Sequence, residues 1–293
     1  MKVHMEKVKF NTYDMSKKDS ISIAFLYSTL PGRVLLSVII RPIFSKVFGG
    51  IMNRRFSKIF IRRFVKKNGI DMSEFKRSEF SSFNDFFSRE INDGYRPMPP
   101  EKSDVAAPCD GKLCAYEITV DQAFKIKNSV YDVDALLQDK ELAEDFTNGT
   151  CLIFRLMPYD YHRYCYIDDG EVISRKKIKG KLHTVRPYVL QKYKVYKQNT
   201  REYEVLNTEN FGKVVQMEVG ALFVGRIINH VRKRRFKRGT EKGMFEFGGS
   251  TIVMLFQENA ISIEGVIFEN TKSNLETIVK MGTKIGCKGA EAV

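Results

Sequence analysis

Apolar residues in this chain follow two rhythms, and the change comes near Pro100. From Ile21 to Lys67 they recur at helical spacing among basic residues. Ile21, Ile23, Phe25 and Leu26 lead into Pro31-Gly32-Arg33, and Val34 to Ile40 follows before Arg41-Pro42. A second segment, Phe48 to Val65, mixes Ile51, Met52, Phe56, Ile59, Phe60, Ile61 and Phe64 with Arg54, Arg55, Lys58, Arg62 and Arg63. The longest apolar run here, Val34 to Ile40, is far short of the roughly 20 residues a spanning helix needs. The pattern predicts basic amphipathic helices that lie on a membrane rather than cross it. The plainer alternative is helices packed on their own domain with a solvated charged face.

Residues 74–100 place Phe80, Phe83, Phe86 and Phe87 at the spacing of a short helix capped from Ser81 or Ser82. Pro97, Pro99 and Pro100 end it. Beyond them the rhythm becomes that of short strands and turns. Strands are predicted over residues 151–156, 180–185, 203–206, 213–219 and 221–228, with a short acidic helix over 130–145. The fold class is therefore α+β: a β-rich core preceded by N-terminal amphipathic helices, with a helical segment at 1–75 and a core domain at 76–293.

One stretch stands apart. In Gly243-Met244-Phe245-Glu246-Phe247-Gly248-Gly249-Ser250-Thr251-Ile252-Val253-Met254-Leu255-Phe256, two apolar runs flank a Gly-Gly-Ser-Thr core. A glycine pair in a strand marks a bulge, a bend or close approach of another group. It also permits a strained peptide with an open carbonyl, which a neighbouring serine hydroxyl could attack.

Composition narrows the choices. Lys and Arg outnumber Asp and Glu by 49 to 35, a net charge of +14. That excess suits an anionic partner. The basic residues alternate with bulky aliphatics and no nucleic-acid motif is present, so an acidic membrane surface is expected and nucleic acid is not. Met1 to Lys7 lacks the apolar core of a signal peptide. Five cysteines, none in a CxxC pair, predict a reducing cytoplasmic setting without a disulfide framework. No metal-ligand spacing is evident.

Self-cleavage at Gly249-Ser250 needs a base and a group to orient it. Four histidines exist: His4, His162, His183 and His230. His162 follows a strand directly, in Asp160-Tyr161-His162-Arg163. His183 lies in Lys181-Leu182-His183-Thr184. Asp110, in the Pro108-Cys109-Asp110-Gly111 turn, could orient a histidine. A soluble serine hydrolase is disfavoured, because Gly-Gly-Ser-Thr-Ile lacks the last glycine of the Gly-x-Ser-x-Gly elbow.

Together these pieces resemble phosphatidylserine decarboxylases, from about Phe80 to Phe256. Phe86-Phe87-Ser88-Arg89 with Arg96-Pro97 carries the resemblance, as do Pro108-Cys109-Asp110-Gly111 and Asp160-Tyr161-His162-Arg163. Glu218-Val219-Gly220-Ala221 with Val224-Gly225, and Phe247-Gly248-Gly249-Ser250-Thr251, complete it in the family's order.

The resemblance implies that residues 76–293 are the catalytic domain and that the chain cuts itself into a β chain, 1–249, and an α chain, 250–293. Ser250 would become a covalent pyruvoyl cofactor that forms a Schiff base with the serine amine of phosphatidylserine. Carbon dioxide then leaves and phosphatidylethanolamine is made. It further implies an α/β chain pair, a homodimer, and a peripheral place on the cytoplasmic face of the cell membrane. The alternative is an uncleaved, non-catalytic lipid-binding relative.

One position departs from the family. Its loop reads Tyr-His-Arg-x-His, and the second histidine is the usual base of an Asp-His-Ser triad; here Cys165 stands there. By the resemblance His162 is the residue that assists decarboxylation and protonation. Three routes stay open: His183 takes the triad role, His162 does both jobs, or maturation is impaired. His183 is the expectation.

Overall fold

The computed structural model describes residues 10–15, 21–126, 129–190, 193–222, 226–230, 234–248 and 250–290. Met1 to Lys7, Val224-Gly225, Arg232-Lys233 and Gly249 lie outside the described residues.

Local signals in the sequence mark several ends of the N-terminal helices. They are α1 (Ile21–Ser28), α2 (Leu30–Ile39), α3 (Pro42–Met52) and α4 (Ile59–Asn68). Thr29 Oγ1 accepts from the Gly32 N–H at 3.1 Å, and Pro31 and Pro42 occupy first-turn positions that have no N–H to satisfy. Gly69, at φ 61°, closes α4 in the left-handed conformation. Among the described residues no single helix is long and apolar enough to cross a membrane; α1 and α2 together have the length and composition but bend by 95°. A fifth helix, α5 (Phe83–Phe87), is capped by Ser82, whose hydroxyl accepts from the Asp85 N–H. Phe80, Phe83, Phe86 and Phe87 pack with Met52 of α3 and Phe64 of α4 in a second small core.

The main body is a nine-stranded antiparallel sheet. Its order is Thr12–Asp14, Leu275–Val279, Gly111–Glu117, Thr150–Leu156, Ser250–Phe256, Gly212–Gly220, Arg201–Thr208, Gly170–Ile178 and Arg235–Phe236. Both flanks of the Ser250–Phe256 strand are covered and all its residues are buried, which explains its unbroken apolar run. A small sheet of Ile227–Asn229, Glu241–Phe245 and Arg163–Cys165 belongs to the same body. The acidic helix expected over 130–145 is two helices, Val133–Leu137 and Lys140–Glu144.

The strand expected over 180–185 does not form. Its backbone finds other partners: the Leu182 N–H donates to Ile40 O, the His183 N–H to Asn199 Oδ1 and the Thr184 N–H to Tyr27 Oη. A satisfied backbone has no need of a ladder. The strand expected over 221–228 is also shorter, since its described part begins at Ile227.

Candidate active site

Antiparallel pairing brings the chemistry-bearing residues to one end of the sheet. Asp110 precedes the Gly111–Glu117 strand, His162 follows the Thr150–Leu156 strand, and Ser250 opens the Ser250–Phe256 strand. Ser250 sits opposite Leu156 on one side and Gly220 on the other. It is fully buried, and among the described residues neither its Oγ nor the Thr251 Oγ1 has a hydrogen-bond partner.

The turn before Ser250 is tightly held. Gly248 has φ 142°, a conformation that side chains rarely adopt. The Phe247 N–H donates to Asn84 Oδ1 at 2.9 Å, and the Phe247 ring lies 5.0 Å from Phe83 and 5.2 Å from Phe87. Thus α5 braces the bend. Asn84 was not legible as a site residue, because nothing local distinguishes it from any other asparagine near a helix start.

His162 lies in the loop after Leu156, with its ring centroid 4.0 Å from that of Phe87. Nδ1 is 2.9 Å from the Asp160 carbonyl oxygen. A carbonyl can only accept, so Nδ1 carries the proton and Nε2 keeps its lone pair. Nε2 is buried and makes no hydrogen bond among the described residues, although the Gly248 backbone lies near enough to the ring to favour its charged form. Burial pushes the imidazole down to about 3, against the pull of the Asp160 and Gly248 backbone groups, so the ring is neutral at physiological pH.

The loop is anchored by charge. Lys112 Nζ is 2.8 Å from both Asp160 carboxylate oxygens, and Asp160 also accepts from the Met157 N–H. Arg89, almost fully buried, donates to the carbonyls of Tyr159 and Asp160 and stacks over Phe75 and Phe86.

The other expected residues are engaged elsewhere. Asp110 accepts from Arg96 Nε at 2.9 Å and Nη2 at 2.8 Å, and from the Met281 N–H at 2.8 Å. His183 Nδ1 is 3.3 Å from Tyr27 Oη and its ring stacks on Tyr193, so among the described residues it contacts α1 and Tyr193 rather than Ser250. Cys165 is buried, and burial pushes its thiol up to about 12. It is therefore a protonated thiol at neutral pH, not a base. Among the basic residues at 234–238, Arg234 pairs with Glu171, Lys237 with Asp169, and Arg238 binds the carbonyls of Pro99 and Asp104. These ties are structural.

Two cavities reach this end of the sheet. One, of about 160 Å³, is bordered by Ile23, Leu156, Thr184, Arg186, Phe247 and Gly248. A wider one, of about 890 Å³, is bordered by Gly220 and carries Lys46, Lys177, Lys179 and Arg226 on its wall.

Comparison with known proteins agrees with the motifs. Residues 83–287 match the family described as phosphatidylserine decarboxylase. Phosphatidylserine decarboxylase proenzyme 2 of Clostridium acetobutylicum is 52% identical, over 89% of this chain and 90% of its own. The phosphatidylserine decarboxylase proenzyme of Clostridium novyi is 38% identical, over 98% of this chain and 99% of its own. That of Clostridium perfringens is 37% identical, over 98% and 100%.

Proposed function

The chain belongs to the phosphatidylserine decarboxylase family, and on that basis we propose that it cuts itself at Gly249-Ser250 and then converts phosphatidylserine to phosphatidylethanolamine. The observation that carries this reading is a set of orphaned polar atoms around the glycine bend: Ser250 Oγ, Thr251 Oγ1 and His162 Nε2. Each such group left unpaired costs about 1–3 kcal/mol. Folded interiors avoid that cost unless a site needs the groups.

Ser250 Oγ attacks the Gly249 carbonyl carbon, and the peptide C–N bond gives way to an ester. β-Elimination then releases a carboxylate at Gly249. Water enters and ammonia leaves at residue 250, which becomes pyruvoyl. Ser250 is buried in a site that leaves its polar atom unbonded, which fits a small, reactive carbonyl group. Once made, the pyruvoyl supplies an electron sink for loss of the substrate carboxylate.

The protein's own groups do the rest. His162 Nε2 takes up a proton and returns it to the substrate α-carbon. An anionic headgroup beside the ring favours its charged form, since an opposite charge within about 4–6 Å raises the pKa. Phe87 and Phe247 keep the bend dry. His183, held by Tyr27 and Tyr193, docks α1 beside the smaller cavity. The cationic wall of the wider cavity suits the substrate's phosphodiester.

We place the protein at an anionic membrane surface on the cytoplasmic side. Leu30, Val34, Ile43, Val47 and Ile59 stand exposed on α2 to α4, Leu30 by 73%. Arg33, Lys46, Arg55, Arg62 and Arg63 lie among them. Exposed apolar patches of this kind mark interaction surfaces. Each basic group near an anionic leaflet adds about 1 kcal/mol. Binding to phosphatidylserine-containing vesicles is expected to weaken as salt rises and to fall when residues 20–67 are deleted. Equal binding by the truncated chain would remove that role from the segment.

Intact mass spectrometry of freshly purified protein, with thin-layer analysis of lipid products, tests the whole reading. Two fragments are expected, the smaller blocked at its N-terminus by a carbonyl. A single 33.9 kDa species, stable for days, would leave a non-catalytic lipid-binding protein.

A further inference from the structure

Among the described residues no base bonds the Ser250 hydroxyl, neither His162 nor His183, but a buried carboxylate stands diagonally across from it on the neighbouring strand. Along the Gly212–Gly220 strand, Gln216, Glu218 and Gly220 share one face, because successive side chains alternate. Gly220 is opposite Ser250, and Glu218 is opposite Ile252, the next residue on Ser250's own face. Gln216 Nε2 donates to the carbonyl of Cys165. Glu218 thus sits between position 165 and Ser250. Diagonal neighbours of this kind are about 7–8 Å apart at the backbone, within reach of a long side chain. Gly220 has no side chain of its own there, and the Leu182 Cδ2 methyl packs against where its Cβ would be.

Glu218 is held in an unusual state. Its Oε2 accepts from Lys242 Nζ at 2.7 Å and from Asn229 Nδ2 at 3.2 Å, while Oε1 has no partner among the described residues. Glutamate and lysine are both essentially without solvent exposure. A buried ion pair of this sort is rarely kept for stability alone, since apolar replacements of similar volume do as well or better. One oxygen is bound and the other free, the arrangement expected of a carboxylate that is fixed in place to accept a proton.

We propose that Glu218 is the proton acceptor that starts the cut at Ser250, with Lys242 fixing its carboxylate. This rests on the self-cleavage reading above. The Ser250 Oγ proton goes to Glu218 as Oγ bonds to the Gly249 carbonyl carbon. The Gly249–Ser250 C–N bond breaks, and the proton passes to the freed amine. Amide and ester are isomers, so the step consumes no co-reactant.

The local charges predict a pH dependence. Burial pushes the Glu218 carboxyl up to about 7, against the pull of Lys242. Facing it are Lys242, Asn229, Glu202 and Glu204, together with Tyr164, Tyr166 and Cys109. Only the carboxylate accepts a proton, so the cut should quicken as pH rises toward about 7 and level off above it.

The experiment follows self-cleavage of freshly translated chain from about pH 5.5 to 8.5. It compares the unmutated protein, Glu218→Gln, and the paired Glu218→Met, Lys242→Met, each checked for folding by thermal melt. The Gln variant should cut about 10²–10⁴-fold more slowly, with a flat pH profile. The paired variant, which leaves no unpaired buried charge, should be as slow. Hydroxylamine, which cleaves esters, should not rescue the Gln variant, because no ester has formed. Cutting by either variant at the unmutated rate and pH dependence would overturn the proposal, and so would rescue by hydroxylamine. An unmutated chain that never cuts would instead overturn the reading beneath it.

Discussion

Ser250→Ala is expected to leave the chain whole and without decarboxylase activity. The hydroxyl is the only atom removed, and its burial without a partner means that no hydrogen bond is lost with it. The fold should therefore keep its stability or gain slightly, since an unsatisfied buried donor disappears. Activity should fall by the whole enzymic acceleration, at least about 10⁶-fold, because no pyruvoyl group can be made. Thermal melting, intact mass and product assay on one preparation separate the effects. A Ser250→Ala chain that still appeared as two fragments would move the scissile bond elsewhere, and retained activity would remove the cofactor assignment.

Glu276→Ala is expected to cost about 3–5 kcal/mol of stability. Arg155 and Glu276 form a buried bidentate pair, with Nε at 2.8 Å from Oε1 and Nη2 on Oε2. Both are nearly unexposed, and truncating the glutamate leaves a buried guanidinium unpaired. Domains of this kind are stable by only about 5–15 kcal/mol, so the loss is a large share. The pair also spans the proposed cut, with Arg155 before it and Glu276 after it. The strands Ser250–Phe256 and Leu275–Val279 are each hydrogen-bonded on both sides by strands from before the cut. Asp110 adds a tie to the Met281 N–H. The two cut pieces should therefore copurify, and urea unfolding on a Ser250→Ala background gives the cost in one chain. Arg155→Met with Glu276→Leu should recover most of the loss. A loss below about 1 kcal/mol for Glu276→Ala, the value of a surface pair, would show that the ion pair holds nothing together.

Much of this protein is legible in its sequence because the signals are local. Helix caps at Thr29 and Ser82, prolines at helix starts and Gly69 at a helix end act within a turn or two of the chain. The unbroken apolar run from Ile252 to Phe256 is of the kind a buried strand shows, and it lies in one. Five short motifs in order were enough to indicate the family. The Gly-Gly-Ser-Thr core pointed to the bend and the candidate nucleophile without any knowledge of their surroundings.

What tertiary structure alone decided was which distant groups pair. Asp110 turns to Arg96, and His183 to Tyr27, a residue 156 positions earlier in the chain. The backbone of 182–184 is satisfied by Ile40, Asn199 and Tyr27, so a segment with strand composition stays out of the sheet. Glu218 and Lys242 look like solvent-facing positions of alternating strands, yet each buries its charge against the other. Local propensity cannot encode such choices, because they depend on strand register and on partners far away in sequence. Register sets Gly220 opposite Ser250 and a carboxylate diagonally across from the serine, where the sequence alone pointed to a missing histidine.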